Sequence, residues 1–111
     1  MADAARQWFR RRTAGEDTPG LFSGRAEPDG AFGHVAPGPR LVEEAWQAWR
    51  AEVGYAEQFV TKAESLGIAG GDPWRGEVSP RFVLIHMIEE YARHNGHADL
   101  LRQGIDGAVG Q

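Results

Sequence analysis

Apolar residues along the chain fall into three stretches with helical spacing, separated by two stretches that lack it. In the first, Ala4, Ala5, Trp8 and Phe9 recur at steps of three and four, which predicts a short helix over residues 2–14 with Gly15 as its stop. In the second, Val42, Trp46, Trp49, Val53, Ala56, Val60 and Ala63 alternate steps of four and three. That is the seam of a left-handed bundle, and Leu41, Ala45, Tyr55 and Phe59 widen it into a core-facing stripe. It predicts a helix over 40–66 closed by Gly67, with Trp46 and Trp49 packed in the core rather than forming a ligand platform. The third opens at Ser79-Pro80, a cap residue followed by a proline at the first helical position, and predicts a helix over 80–103 ended by Gly104 and Gly107.

The stretches between are connections. Residues 15–39 carry Gly15, Gly20, Gly24, Gly30, Gly33 and Gly38 with Pro19, Pro28, Pro37 and Pro39, a density that breaks helix and strand alike. Leu21, Phe22 and Phe32 are the residues able to pin it down, and His34 reads as a solvated loop histidine. Residues 67–79 read as a second loop, punctuated by Gly70-Gly71-Asp72-Pro73 and without a β-hairpin signal. The expectation is one all-α domain over 1–111, a bundle of three helices.

Composition narrows the function classes. Sixteen acidic residues outnumber twelve Lys and Arg, for a net charge of −4. No basic stripe exists for a phosphate backbone, which argues against nucleic acid. The cluster Arg10-Arg11-Arg12 reads as a solvated helix end, favourable with the helix dipole. There is no cysteine, so disulfides, zinc–thiolate sites and a thiol nucleophile are excluded. No apolar run approaches the ~20 residues of a spanning helix, and MADAARQWFRRR lacks the apolar core of a signal peptide. A cytoplasmic protein with no membrane partner is expected.

The third helix concentrates the chemistry. RFVLIHMIEEYARHNGHADLLRQG holds His86, His94 and His97 beside Glu89 and Glu90. On a helical wheel, Val83, Leu84, Met87, Ile88, Tyr91, Ala98 and Leu101 share one arc, the predicted core face. His94 falls inside that arc, Glu90 and His97 lie on its edge, and Glu89 points the other way. Glu90 and His94 are four residues apart, so their side chains meet one turn apart at the border of the core. Burying such groups unpaired costs on the order of 1–3 kcal/mol. Two explanations satisfy them: a structural Glu–His hydrogen bond, or a divalent metal held by a carboxylate and an imidazole from one helix.

LIHMIEEYARHNGHADLLRQGIDG resembles the C-terminal signature helix of the DinB-like superfamily, in the branch that includes mycothiol-dependent S-transferase-like enzymes. QWFRRRTAGED resembles the end of that family's second helix and EEAWQAWRAEV its third, so the resemblance covers most of the chain. It implies a four-helix bundle and a divalent metal, zinc or nickel, held by three side chains. Two are a Glu and a His at four-residue spacing in the last helix, a pattern that Glu90 and His94 match. The resemblance further implies a small-molecule thiol such as mycothiol, an electrophilic substrate, and no proton-transfer role for the metal ligands. Arg93 would orient an anionic group of the cofactor, and His97 and His86 are accessory donors.

The sequence also departs from the family. Aligning QWFRRR places the family's third ligand, a histidine late in the second helix, at about the residue before Met1, and the first helix has no counterpart. The expectation is therefore a DinB-like bundle with three helices, an incomplete metal site and an open apolar groove. A homodimer would cover such a groove, and a partner chain could supply the missing ligand. Two functions compete: a metal-dependent thiol S-transferase, and a non-catalytic, dimerising helical remnant without metal chemistry.

Overall fold

The computed structural model describes residues 1–24, 26, 38–72 and 74–110. Phe32, His34 and about half of the long connection lie outside the described residues. A short helix α1 (Ala2–Ala5) runs without a break into a π-helix (Arg6–Thr13), followed by α2 (Pro39–Lys62), strands β1 (Gly70–Asp72) and β2 (Gly76–Val78), and α3 (Pro80–Asp106). Helices dominate, in keeping with an all-α, DinB-like bundle.

The expected first helix is thus only briefly α-helical. Beyond Ala5 the carbonyls bond further along the chain: the Ala14 N–H donates to Phe9 O at 2.9 Å, and the Thr13 hydroxyl donates to Trp8 O at 2.7 Å. π-Helices of this length are rare. The wide turn buries Trp8 and Phe9 side by side and lets Arg6 and Arg10, four residues apart, reach one carboxylate on α2.

The α2 helix begins at Pro39, after the extended Gly38, and stops at Lys62 rather than at the expected Leu66. Ala63 turns extended, with its N–H on Phe59 O. The Leu66 carbonyl then accepts from the Arg81 N–H at 3.0 Å, which ties the connection to the start of α3. Leu66 is therefore used by the next helix and not by the previous one.

The second loop contains a β-hairpin, correcting the expectation that none was present. β1 and β2 pair antiparallel, with Gly70 opposite Val78 and Asp72 opposite Gly76. Asp72 builds the turn by accepting from the Trp74 and Arg75 N–H groups at 3.0 and 2.6 Å, and Gly76 supplies the positive φ of 76°. The hairpin lies against the end of the π-helix. A Cβ on Gly70 would sit 2.7 Å from Arg12 O, a separation that requires glycine there.

In α3, the Ser79 hydroxyl accepts from the Phe82 N–H at 3.2 Å and Pro80 occupies the first turn. The helix passes through Gly104 and ends at Gly107, whose φ of 74° provides the left-handed cap.

Ala5, Trp8, Phe9, Val83 and Met87 form the core, with Met1, Tyr55, Ala56, Phe59, Val60, Leu84 and Tyr91 packed around it. Each large apolar side chain buried there contributes about 1.5–3 kcal/mol. The rest of the predicted seam is open. Val42 and Trp46 on α2, and Ile88, Ala98 and Leu101 on α3, are exposed rather than core, because among the described residues nothing packs over them. No helix among the described residues is long and apolar enough to cross a membrane.

Candidate functional site

Residues four apart on α3 stack into a row, and His86, Glu90 and His94 occupy three successive places in it. Glu90 stands in the middle. Its Oε1 lies 3.2 Å from His86 Nε2, and its Oε2 lies 3.7 Å from His94 Nε2. The Nδ1 of His86 is hydrogen-bonded to Glu89 Oε2, also at 3.2 Å. Exposure rises along the row: the side chains of His86, Glu90 and His94 are 16, 27 and 39% exposed. His94 is thus half-open to solvent and not inside the core as its place on the wheel predicted. Glu89, at 70%, faces water.

The buried end of the row is walled by aromatic rings. Trp8 meets the His86 imidazole edge-on at 4.4 Å between centroids, and Phe82 stacks on it at 5.8 Å with an interplanar angle of 6°. The guanidinium groups of Arg12 and Arg75 both lie over the Trp8 ring, 4.5 and 5.2 Å from its centre. The π-helix and the hairpin together therefore fix the ring of His86.

The donor chemistry of Glu90 and His94 suits a divalent metal. Metal bonds of about 2.0–2.2 Å to oxygen and nitrogen place neighbouring ligands about 3.3 Å apart. The 3.7 Å between Glu90 Oε2 and His94 Nε2 needs only a small side-chain adjustment to meet that. The pair offers two donor atoms, and among the described residues no three His, Cys, Asp or Glu side chains gather into a metal-holding group. Arg93 and His97 are exposed on α3, and among the described residues no hydrogen bond or ion pair joins either to the pair.

Beside the row, the open seam forms two troughs. One, of about 720 Å³, is lined by Met1, Leu41, Val42, Trp46, Tyr91 and Asn95 among others. The other, of about 540 Å³, runs between α2 and α3 past Val53, Val60, Leu84 and Ile88. Trp49 and Tyr91 divide them, with the indole N–H donating to the Tyr91 hydroxyl at 2.6 Å. Trp46 and Trp49 pack edge-on at 5.3 Å, so the tryptophans contact each other and line a trough instead of filling a core. Tyr91 and Asn95, which line the larger trough, each follow a member of the Glu90–His94 pair in sequence, while Glu90 and His94 themselves line neither trough.

Sequence reasoning missed the charged network that holds the π-helix in place. Glu52 is buried on α2 and accepts from Arg6 and Arg10, both at 2.7 Å. Arg10 also lies 3.8 Å over the Tyr55 ring, whose hydroxyl donates to Glu16 at 2.6 Å. Burial, and then the hydrogen bond to the Glu16 carboxylate, push the Tyr55 hydroxyl up to about 12. Arg12 pairs with the buried Asp72. The arginine cluster is therefore an anchoring device, with Arg10 and Arg12 paired rather than solvated. The available signal was two arginines four apart facing a lone acid on the inner flank of the α2 stripe.

A family model described as mycothiol-S-transferase matches residues 1–107. No curated protein and no solved structure matches the chain.

Proposed function

This chain belongs to the mycothiol-S-transferase family of DinB-like proteins, and from that premise we propose that it is a thiol S-transferase whose divalent metal, zinc or nickel, is held by Glu90 and His94. The observation that carries the reading is the facing of Glu90 Oε2 and His94 Nε2 at 3.7 Å, half-buried, on the helix that adjoins the apolar trough. Bound there, the metal would act as a Lewis acid that lowers the pKa of a small-molecule thiol such as mycothiol, giving a thiolate at neutral pH. A carboxylate and an imidazole nitrogen as its two protein donors would leave a divalent ion net positive charge to attract the sulfur. Trp46, Leu41 and Val42 offer the apolar wall against which an electrophilic substrate can lie, and Asn95 and the Tyr91 hydroxyl are the polar groups on it. Arg93, one residue before His94, is the nearest exposed cation in sequence for an anionic group on the thiol.

The family pattern asks for a third ligand, a histidine ahead of Trp8-Phe9, and no histidine precedes His34 in the sequence. Elemental analysis of untagged protein tests the reading. The wild type is expected to carry zinc or nickel above the level in a Glu90→Ala, His94→Ala double variant, and equal content in the two proteins would refute it.

A second reading is favoured by the exposure of Val42, Trp46, Ile88 and Leu101: a non-catalytic bundle that self-associates through its open seam. It predicts a concentration-dependent dimer in sedimentation, and a monodisperse, folded monomer across the accessible range would remove it.

A further inference from the structure

We infer that the larger trough binds a neutral, planar aromatic carbonyl compound, with the Tyr91 hydroxyl as the hydrogen-bond donor to the carbonyl oxygen. This rests on the reading of that trough as the substrate wall and names the substrate class; it uses neither a metal nor the Glu90–His94 pair. Three observations carry it. First, the Tyr91 hydroxyl is half used. Its oxygen accepts from the Trp49 indole N–H at 2.6 Å, and its own hydrogen has no acceptor among the described residues. The accepted bond fixes the oxygen and, by polarising the O–H, strengthens it as a donor. Second, the wall is aromatic. Trp46 and Trp49 stand 5.3 Å apart at 79°, so their planes form a corner, and Phe22 and the Tyr91 ring line the same trough. A flat ring stacked on one indole presents its edge to the other, and those are the two arrangements that aromatic pairs prefer. Trp46 is 49% exposed, which leaves indole surface for a ligand to cover. Third, no charged side chain lines the trough, and Asn95 is the polar residue beside Tyr91. A charged ligand would lose water there and gain no counter-charge, whereas a carbonyl oxygen needs a single donor. The volume, about 720 Å³, lies in the range of small-molecule sites.

The test uses 2-acetylnaphthalene, which has the ring and the carbonyl and does not alkylate thiols, so binding is read apart from transfer. 2-Ethylnaphthalene keeps the ring without the oxygen, and cyclohexyl methyl ketone keeps the oxygen without the flat ring. Titrations of the whole chain are followed through the indole ¹H–¹⁵N resonances. Trp46 and Trp49 line the trough, and Trp74, 87% exposed on the hairpin turn, is the control. The aryl ketone is expected to move Trp46 and Trp49, to leave Trp74 in place, and to bind more tightly than the cyclohexyl ketone. In Tyr91→Phe its affinity should fall about 3- to 10-fold, while that of 2-ethylnaphthalene changes by less than about twofold. Shifts confined to Trp8 and Trp74 would overturn the site, and an undiminished affinity of the ketone for Tyr91→Phe would overturn the donor.

A second arm needs no variant. The carbonyl ¹³C resonance of labelled ketone bound to the wild type should lie downfield of its position in hexane, as hydrogen bonding to the oxygen requires. A hexane-like position contradicts the donor even if Tyr91→Phe fails to fold. A trough closed by a second copy would show Trp46 moving on dilution and not on addition of ketone, and that result also refutes the proposal. Ketone binding by a protein that transfers no thiol would support the site and count against the transferase reading.

Discussion

The two halves of α3 contain comparable apolar residues and live in opposite surroundings. Between Pro80 and Met87, Val83 and Met87 are buried against Trp8 and Phe9, and His86 is fixed between Trp8 and Phe82. From Ala92 to Asp106 every residue is exposed except His94, although Leu100, Leu101 and Ile105 lie there. Helical pattern is the same in both halves; what differs is the presence of a partner element. The Glu90–His94 pair straddles the boundary, with a rigid neighbour on one side and solvent on the other. For the metal site proposed above, that placement would hold ligand geometry on one side and admit a thiol on the other.

The largest effects should come from removing what clamps the first half. Glu52→Ala leaves Arg6 and Arg10 without their shared buried carboxylate and is expected to cost about 3–5 kcal/mol in chemical denaturation. Trp8→Ala empties the core beside Val83 and should cost a similar ~3–5 kcal/mol, while also loosening His86. If either variant unfolds at the wild-type midpoint, the clamped half is not what stabilises the molecule.

Acid offers an intermediate test. Burial alone would raise the Asp72 carboxyl, but the N–H donors of Arg75 and Trp74 and the charges of Arg12 and Arg75 hold it below the ordinary value of 3.8. Burial likewise opposes, and the N–H groups of Leu21, Phe22 and Ser23 with the Ser23 hydroxyl overcome, a rise at Asp3. A carboxyl depressed on folding stabilises the native state above its unfolded value, and that stability is lost as pH falls through the folded one. Stability should therefore fall off below about pH 4, and the acid limb should be shallower in Asp72→Asn than in wild type. Identical acid limbs would show that the hairpin anchor does not contribute.

The smallest effects belong to the open half. Leu101→Ala and Ile105→Ala should each change stability by less than ~0.5 kcal/mol, since the side chains are largely exposed already. A cost of 2 kcal/mol or more, on the scale of a core truncation, would mean that this face is covered in solution.

What could be read from the sequence follows the range of the interactions. The start of α3 was legible because Ser79 and Pro80 act within one turn. The α2 seam was legible because its spacing is regular, and so was the facing of Glu90 and His94, which depends only on helical geometry. The hairpin was hidden: GGD and GEV carry a single β-branched residue, and the turn depends on the Asp72 side chain. The π-helix has no spacing signature of its own against an α-helix of the same apolar residues. Which part of the seam is buried was also illegible, since periodicity marks a face able to pack and not the partner that packs on it. That is why Val42 and Trp46 read as core and stand in solvent.

Calorimetric titration of the metal-free protein with zinc tests Glu90 and His94 as the proposed metal donors most directly. One zinc per chain is predicted for the wild type and for His97→Ala, with binding lost in Glu90→Ala and in His94→Ala. Binding that survives both substitutions, or that disappears in His97→Ala, would contradict the assignment.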